Sequence, residues 1–235
     1  MGQKKKKIAV LTGAGISAES GINTFRDTGG LWEGFDVMQV ASMDGWCQDQ
    51  KLVLNFYNDR RRQLKSVKPN IGHHALVELE DDFEVVIITQ NVDDLHERAG
   101  SSKILHLHGE LKKVRSTLDE CLIYDWEDDL NIGDHCEKNA QLRPHIVWFG
   151  EMVPMLEAAQ EEIMTADIVI IVGTSMQVYP AAGLVSFAPK GTKVYFVDPN
   201  PTINHELDLQ NNLEVIGEKG TVGVPMVVAR IKGEI

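Results

Sequence analysis

Gln90, Asn91 and Asp93 follow the apolar run Val85-Val86-Ile87-Ile88-Thr89 and are the side chains best placed to do chemistry in this 235-residue sequence. Consecutive β-branched residues read as a strand buried on both faces, and an amide or carboxylate cannot enter that core unpaired. These polar groups therefore stand at the strand's carboxyl end, the edge at which open α/β sheets bind ligands. Asn91 and Asp93 would serve equally well as caps for the helix that follows, which runs toward Arg98 and stops at Gly100.

Two further pairs could share such a site. In Ile104-Leu105-His106-Leu107-His108-Gly109, alternation along an extended segment puts His106 and His108 on one face. That spacing suits metal ligation, one catalytic base beside Gly109, or histidines satisfied by hydrogen bonds in a core. Tyr57 and Arg60 lie three apart in a stretch from Val37 to Leu64 whose pattern is helical. A guanidinium and a phenol on one helix face can receive a carboxylate, and the same pair is common on plain helix surfaces.

Elements must bring these groups together, and the first is Ile8-Ala9-Val10-Leu11, ending in Thr12-Gly13-Ala14-Gly15-Ile16-Ser17-Ala18-Glu19-Ser20-Gly21. A strand delivering a glycine-rich turn into a helix start is a device for holding a pyrophosphate on free N–H groups and the helix dipole. The fingerprint is imperfect, because Ala18 stands at the usual third glycine position, and a tight turn without a ligand would look similar. Gly21 to Trp32 lacks periodicity and reads as a loop, with Phe25 and Arg26 placed to cover a nucleotide or simply to meet solvent. Pro69-Asn70 introduces a helix through Leu79, in which the adjacent His73 and His74 cannot face the same way. Asp167 to Val172, ending in Gly173-Thr174-Ser175, and Lys193 to Asp198 repeat the device of an apolar strand with a small or polar end. Strands ending in this way at one edge specify a doubly wound, Rossmann-like α/β fold with a ligand across its crevice. Leu111 to Leu142 is polar and acidic, breaks the α/β rhythm and reads as an inserted module.

The totals exclude several classes of function. With 43% hydrophobic and 25% charged residues the composition is that of an ordinary soluble protein. A formal charge of −12 argues against nucleic acid as a partner, and Lys4 to Lys7 reads as a solvated lead-in to the first strand. No apolar run approaches the ~20 residues that span a bilayer. The three cysteines, Cys47, Cys121 and Cys136, fit a reducing cytosol and a cytoplasmic protein without a disulfide framework.

Taken together, Gly13-Ala14-Gly15-Ile16-Ser17, Gly21-Ile22-Asn23-Thr24-Phe25-Arg26, Thr89 to His96, Leu107-His108-Gly109, Arg143-Pro144 with Phe149-Gly150-Glu151, and Gly173-Thr174-Ser175 resemble the sirtuin family of NAD-dependent protein deacylases. The motifs fall in family order over nearly the whole chain. The resemblance implies that Gly13, Ala14, Gly15, Ser17, Phe25, Arg26, Gln90, Asn91, Asp93, Gly173, Thr174, Ser175, Asp198 and Gly220 hold NAD. It implies that His108 is the general base, acting with Asn91 and Asp93, and that Phe149, Gly150 and Glu151 meet the substrate. In the family reaction the acyl-lysine carbonyl oxygen attacks the ribose carbon bearing nicotinamide, and the base then activates a ribose hydroxyl that carries the acyl group to ADP-ribose. An imidazole with an ordinary pKa near ~6.5 suits that proton transfer at neutral pH.

Within this family Phe56-Tyr57-Asn58-Asp59-Arg60 looks like the Tyr-x-x-Arg motif of members that remove succinyl or malonyl groups, the two side chains binding the acyl carboxylate. Residues 1–34, 71–110 and 143–235 would form the NAD-binding domain, and 35–70 and 111–142 a small domain, in a monomer acting on acylated lysines of proteins. Three features depart from the family pattern. Where two Cys-x-x-Cys pairs usually bind zinc, Ser116, Asp119, Cys136 and Asn139 stand instead, with Cys121 the one other thiol that could stand in, so no zinc is expected and packing around Leu118, Leu122, Tyr124 and Trp126 would hold the module. Asn23 replaces a proline of the cofactor loop, and Asp198 stands where an Asn commonly contacts adenosine, which favours NAD over NADP. The rival readings are a metal-dependent hydrolase using Asp93, His106 and His108, and a module that binds NAD or ADP-ribose without turnover.

Overall fold

The computed structural model describes residues 5–23, 31–32 and 34–233. Phe25 and Arg26 lie outside the described residues. β1 (Lys7–Thr12) leads into two short 3₁₀ turns, Ala14–Ile16 and Ala18–Ser20, and then comes a hairpin of β2 (Leu31–Trp32) and β3 (Phe35–Asp36). Helices α1 (Val37–Val40), α2 (Met43–Gln48), α3 (Gln50–Leu64) and α4 (Ile71–Val77) follow. β4 (Glu84–Thr89), α5 (Leu95–Ala99) and β5 (Ile104–His106) run into β6 (Gly109–Ser116), β7 (Ile123–Asp125) and β8 (Leu142–Ile146). The last third holds α6 (Leu156–Met164), β9 (Ile168–Val172), β10 (Lys193–Val197), α7 (His205–Asp208), β11 (Leu213–Ile216) and α8 (Gly220–Gly233).

Six parallel strands form one sheet in the order β11-β10-β9-β1-β4-β5. The chain winds outward from β1 in one direction through β4 and β5 and in the other through β9, β10 and β11, so strand order reverses between β1 and its neighbours. Because parallel strands carry helices on both faces, alternate residues of each strand go to opposite cores. Ile8, Val10, Val85, Ile87, Ile170 and Val172 pack with Leu76 of α4 and Val224, Val227 and Ile231 of α8. Ala9, Leu11, Val86, Ile88, Val169 and Ile171 pack with Ala159 and Ile163 of α6 and with Leu184 and Val185. A third core draws on Val40 to Val67 and on Leu111 to Trp148.

The register fixes where the strands stop. Thr12 pairs with both Thr89 and Val172, Val172 with Val197, and Thr89 with His106. The chain therefore leaves the sheet at Gly13, Gln90, Gly173, Asp198 and Leu107 along one edge. Two helix starts are set by side-chain caps: Asp49 accepts from the Leu52 N–H at α3, and Asn70 from Gly72 at α4, where Asn70 also donates to the Ile16 carbonyl of the turn after β1. Among the described residues no helix is long and apolar enough to cross a membrane.

Candidate active site

The glycine turn after β1 is shaped first by packing. Gly13 N–H donates to the Val172 carbonyl and Gly15 N–H to the Gly173 carbonyl, at 3.0 and 2.8 Å. A Cβ on Gly15 would lie 2.5 Å from the Gly173 Cα, so the turns leaving β1 and β9 interlock at the crevice only because both are glycine here. The sequence pattern implied a helix start with several free N–H groups. The structure corrects this: Ala14–Ile16 is a single 3₁₀ turn, and its internal and cross-loop bonds leave the Ala14 N–H as the donor from Gly13 to Ser17 that no acceptor takes among the described residues. Gly220, at the start of α8, is buried between Ile16 and Gly72, and so backs this turn from behind.

The end of β4 carries the polar cluster. Asn91 Nδ2 donates to the Gly13 carbonyl and to Ser17 Oγ, both at 3.2 Å, while Ser17 Oγ donates to Asp93 Oδ2 at 3.0 Å. Asp93 Oδ1 accepts from the Leu95 N–H at 3.1 Å, so the capping role and the site role fall on one carboxyl group. Burial pushes the Asp93 pKa up to about 6, against the opposing pull of its bonds from Leu95 and Ser17. Gln90 Nε2 donates to Thr174 Oγ1 at 3.1 Å, which ties the β4 loop to the β9 loop across the crevice. Ser175 is half-buried beside it, and Asp198 at the end of β10 is buried, with its Oδ1 accepting from the Asn200 N–H.

β5 stops at His106, and His108 sits in the turn before β6, yet both imidazoles reach the same loop. His108 Nδ1 is 3.0 Å from the Gln90 carbonyl oxygen. That oxygen can only accept, so Nδ1 carries the hydrogen and the neutral ring presents a lone pair at Nε2. Burial lowers the His108 pKa from its ordinary value, partly countered by that bond, which keeps the ring in its basic form at neutral pH. His106 instead bonds the Asn91 carbonyl and Glu97. Asp93, His106 and His108 thus face different partners and do not converge; the side chains gathered around His106 are Glu97 and Glu110. This removes the geometric basis of the metal-hydrolase reading.

Sequence reasoning missed the layer beneath. Thr12 Oγ1 donates to Thr89 Oγ1 and meets His96 Nε2 at 3.1 Å, and His96 stacks edge-on against His73 with centroids 4.9 Å apart. Burial holds His96 well below its ordinary pKa and His73 at about 4, so both are neutral packing groups behind the cluster. The signal in the sequence was threonine at the carboxyl end of both neighbouring strands.

α3 brings Tyr57 and Arg60 to one face, in aromatic surroundings. Trp148 Nε1 donates to Tyr57 Oη at 2.9 Å, and among the described residues no acceptor takes the phenolic hydrogen. Tyr57 is fully buried against Trp32, Phe56 and Trp148, which raises its pKa. Arg60 folds over the Phe56 ring at 3.9 Å and donates to the Phe56 carbonyl. Phe149 is 45% exposed, and Gly150, at φ +89, turns the chain beside it. Glu151 was expected at the substrate. Its carboxylate is instead taken up by Arg143, Arg115 and the Trp148 N–H, and that ion-paired contact keeps its pKa low despite burial. It therefore shapes the loop from inside.

A model of the Sir2 family matches residues 13–180. The chain belongs to the Sir2, or sirtuin, family. It is 57% identical over 213 residues to the NAD-dependent protein deacylase of Helicobacter pylori strain J99, covering 91% of this chain and 90% of that protein. It is 55% identical over 206 residues to the NAD-dependent protein deacylase of Bacteroides thetaiotaomicron, covering 85% and 88%. Among solved structures, a Sir2 homolog–NAD complex superposes with a TM-score of 0.86 at 36% identity, covering 98% and 91% of the two chains. A Sir2–p53 peptide–NAD+ structure gives 0.76 at 30% identity, covering 98% and 93%.

Sirtuins typically carry structural zinc in the inserted module, and the donor set here does not fit that ion. Cys136 Sγ donates to Ser116 Oγ at 3.2 Å, and Ser116 Oγ also accepts from the N–H groups of Leu118 and Asp119. Asp119 pairs with the Lys138 ammonium at 2.6 Å. Cys136 bonded to a serine, an exposed Cys121 and an aspartate paired with lysine do not gather into the four-ligand site that zinc needs among the described residues. Of the four residues expected to pack the module, Leu122, Tyr124 and Trp126 lie against the third core, whereas Leu118 is 68% exposed, because the Ser116 turn directs it outward.

Proposed function

We propose that this chain is an NAD-dependent protein-lysine deacylase that removes acetyl and acidic acyl groups, and that it folds without zinc. The observation that carries this reading is the pairing of a base with a loop: His108 is fixed as the tautomer with a free Nε2 by the carbonyl of Gln90. The next residues of that loop, Asn91 and Asp93, are locked to the glycine turn. Bound NAD would supply a weak bond between ribose and nicotinamide and a hydroxyl acceptor for the acyl group. Ala14 N–H offers a donor to a phosphate oxygen, and Gln90, Asn91 and Asp93 would hold the ribose and carboxamide. His108 Nε2 would take the proton of a ribose hydroxyl, a step such bases speed by ~100- to 10,000-fold. Names of relatives that state NAD-dependent protein deacylation, and a related structure holding peptide and NAD, support this reading.

The acidic-acyl preference rests on Tyr57 and Arg60. Tyr57 has a phenolic hydrogen to donate, Arg60 has a guanidinium on the same helix face, and an acyl carboxylate entering there would part the packing of Trp32 on Phe56 and Tyr57. Residues 35–70 and 111–142 would act as the small domain that presents this pair, in a monomer. The test is a panel of acetyl-, succinyl- and malonyl-lysine peptides with and without NAD. Arg60→Met should lose desuccinylation by about tenfold or more relative to deacetylation, as expected when a charge-assisted bond is removed. Equal loss of both would refute the acidic-acyl assignment, and one zinc per chain by elemental analysis would refute the zinc-free fold.

A further inference from the structure

We propose that His106 is a positioning residue for the deacylation reaction: held between Glu97 and the Asn91 carbonyl, it fixes the loop that presents Asn91 and Asp93. This inference rests on the reading of His108 and the Gln90–Asp93 loop given above. His106 Nδ1 lies 3.3 Å from the Asn91 carbonyl oxygen and Nε2 lies 2.6 Å from Glu97 Oε1. A carbonyl and a carboxylate only accept, so both ring nitrogens must carry hydrogen and the ring is an imidazolium. His108, two residues on, has one nitrogen against the Gln90 carbonyl and the other uncommitted. Two histidines therefore grip two successive peptide carbonyls of one loop, one as a neutral base and the other as a charged strap.

The remaining bonds of Asn91 show what the strap controls. Its N–H donates to Thr89 Oγ1 and its side chain to Gly13 and Ser17, and Ser17 in turn donates to Asp93. Of the two oxygens that remain on that residue, His106 holds the main-chain carbonyl. If His106 loses a proton, its Nε2 lone pair faces the Glu97 carboxylate, and one of the two contacts must break.

The charge surroundings favour the proton. Glu97 and His96 on α5 and Glu110 on β6 are the titratable groups that act on the ring, while Asp93 and Asp94 before α5 and Lys113 on β6 line the same cavity with their own partners. Lys112, Asp125 and Glu127 stand farther around the same cavity of about 360 Å³. Burial works against a charged His106, but the bond and charge of Glu97, joined by Glu110 and the Asn91 carbonyl, hold its pKa above the ordinary value. Glu97 is held below its own by His106, although burial opposes this.

The experiment measures kcat and KM for NAD from roughly pH 6 to 9.5 on the wild-type chain, Glu97→Gln and His106→Gln, with NMR titration of the histidine rings. The wild type should show an alkaline fall in kcat/KM for NAD, because the strap is lost as pH rises through the elevated His106 pKa. Glu97→Gln should move that fall to lower pH and raise KM for NAD about tenfold near neutrality, with a smaller change in kcat. His106→Gln, which keeps one donor for the Asn91 carbonyl, should remove the His106-linked part of the fall and partly rescue KM. A Glu97→Gln variant with a lower melting temperature but an unmoved pH profile and KM would overturn the proposal, since it would show a structural role only. Titration of the wild-type His106 ring at or below the ordinary histidine value would overturn it as well, and that reading needs no variant to fold. Activity abolished by EDTA and restored by a divalent metal would put a cation in place of the proton and overturn it too. Absence of NAD-dependent deacylation in the wild type would instead fail the functional reading, and the NMR titration would still decide the state of His106.

Discussion

The carboxyl edge of the large sheet and the module from Leu111 to Leu142 treat polar side chains in opposite ways. At the edge, Asn91, Asp93, Ser17 and Thr174 are buried, and Asp93 carries a pKa of about 6 because it has lost water without gaining a cation. In the module, the exposed Lys138 pairs with the half-buried Asp119, and Cys136 and Ser116 meet in a hydrogen bond. The first arrangement costs stability and keeps a charge available for chemistry. In the second, the Ser116 contact contributes stability and the surface ion pair little, and neither is a group that the proposed reaction uses. Substitutions at the edge should therefore separate activity from folding, and substitutions in the module should do the reverse.

The largest expected effect is at His108. His108→Asn should lower NAD-dependent deacylation by ~100-fold or more, with little change in melting temperature, because Asn can still donate to the Gln90 carbonyl. Asp93→Asn sharpens the contrast. Its activity should fall by about tenfold or more, while its stability at neutral pH rises by up to about 3 kcal/mol, since the raised folded pKa is a cost borne only by the ionised form. Asp93 binds its proton more tightly in the folded chain, so its contribution is most favourable below its unfolded pKa near 3.8 and is lost as pH rises through about 6. The advantage of Asp93→Asn in denaturant melts should accordingly grow over that window and fade in acid. An advantage independent of pH would break the comparison.

Smaller effects belong to the module. Ser116→Ala should cost about 1–2 kcal/mol in urea unfolding, because the Cys136 thiol and two backbone N–H groups lose their acceptor, and kcat should be unchanged. Lys138→Ala removes an exposed ion pair and should leave both melting and kcat where they were. A loss of kcat from either substitution would mean that the module takes part in the reaction.

Much of the fold was legible because runs such as Val85 to Ile88 and Ile168 to Val172 are too apolar and β-branched to sit anywhere but inside a parallel sheet. Helix ends were legible where a side chain closes them, at Asn70, or where a left-handed turn needs glycine, at Gly100 with φ +108. The residues expected at the site lie along one edge of the sheet, and the contacts that hold them there were only partly legible. Gly13 and Gly15 face the backbone of Gly173, a contact between residues far apart in sequence that no local pattern encodes. Glu151 and Leu118 were misplaced for the same reason: the arginines that claim one and the turn that exposes the other exist only once β6 and β8 have paired. The burial of Tyr57 under Trp148 was likewise invisible, because helical spacing gives a face and says nothing of what packs on it.

The central claim is that His108 acts as the base of an NAD-dependent acyl transfer from lysine. Its most direct test follows nicotinamide release and loss of the acyl group together on one acyl-lysine peptide, for the wild-type chain and His108→Asn. The account predicts one nicotinamide released per acyl group removed in the wild type, none without NAD, and an acyl transfer slowed by ~100-fold or more in the variant. Deacylation that proceeds without NAD, or that survives intact in His108→Asn, would contradict it.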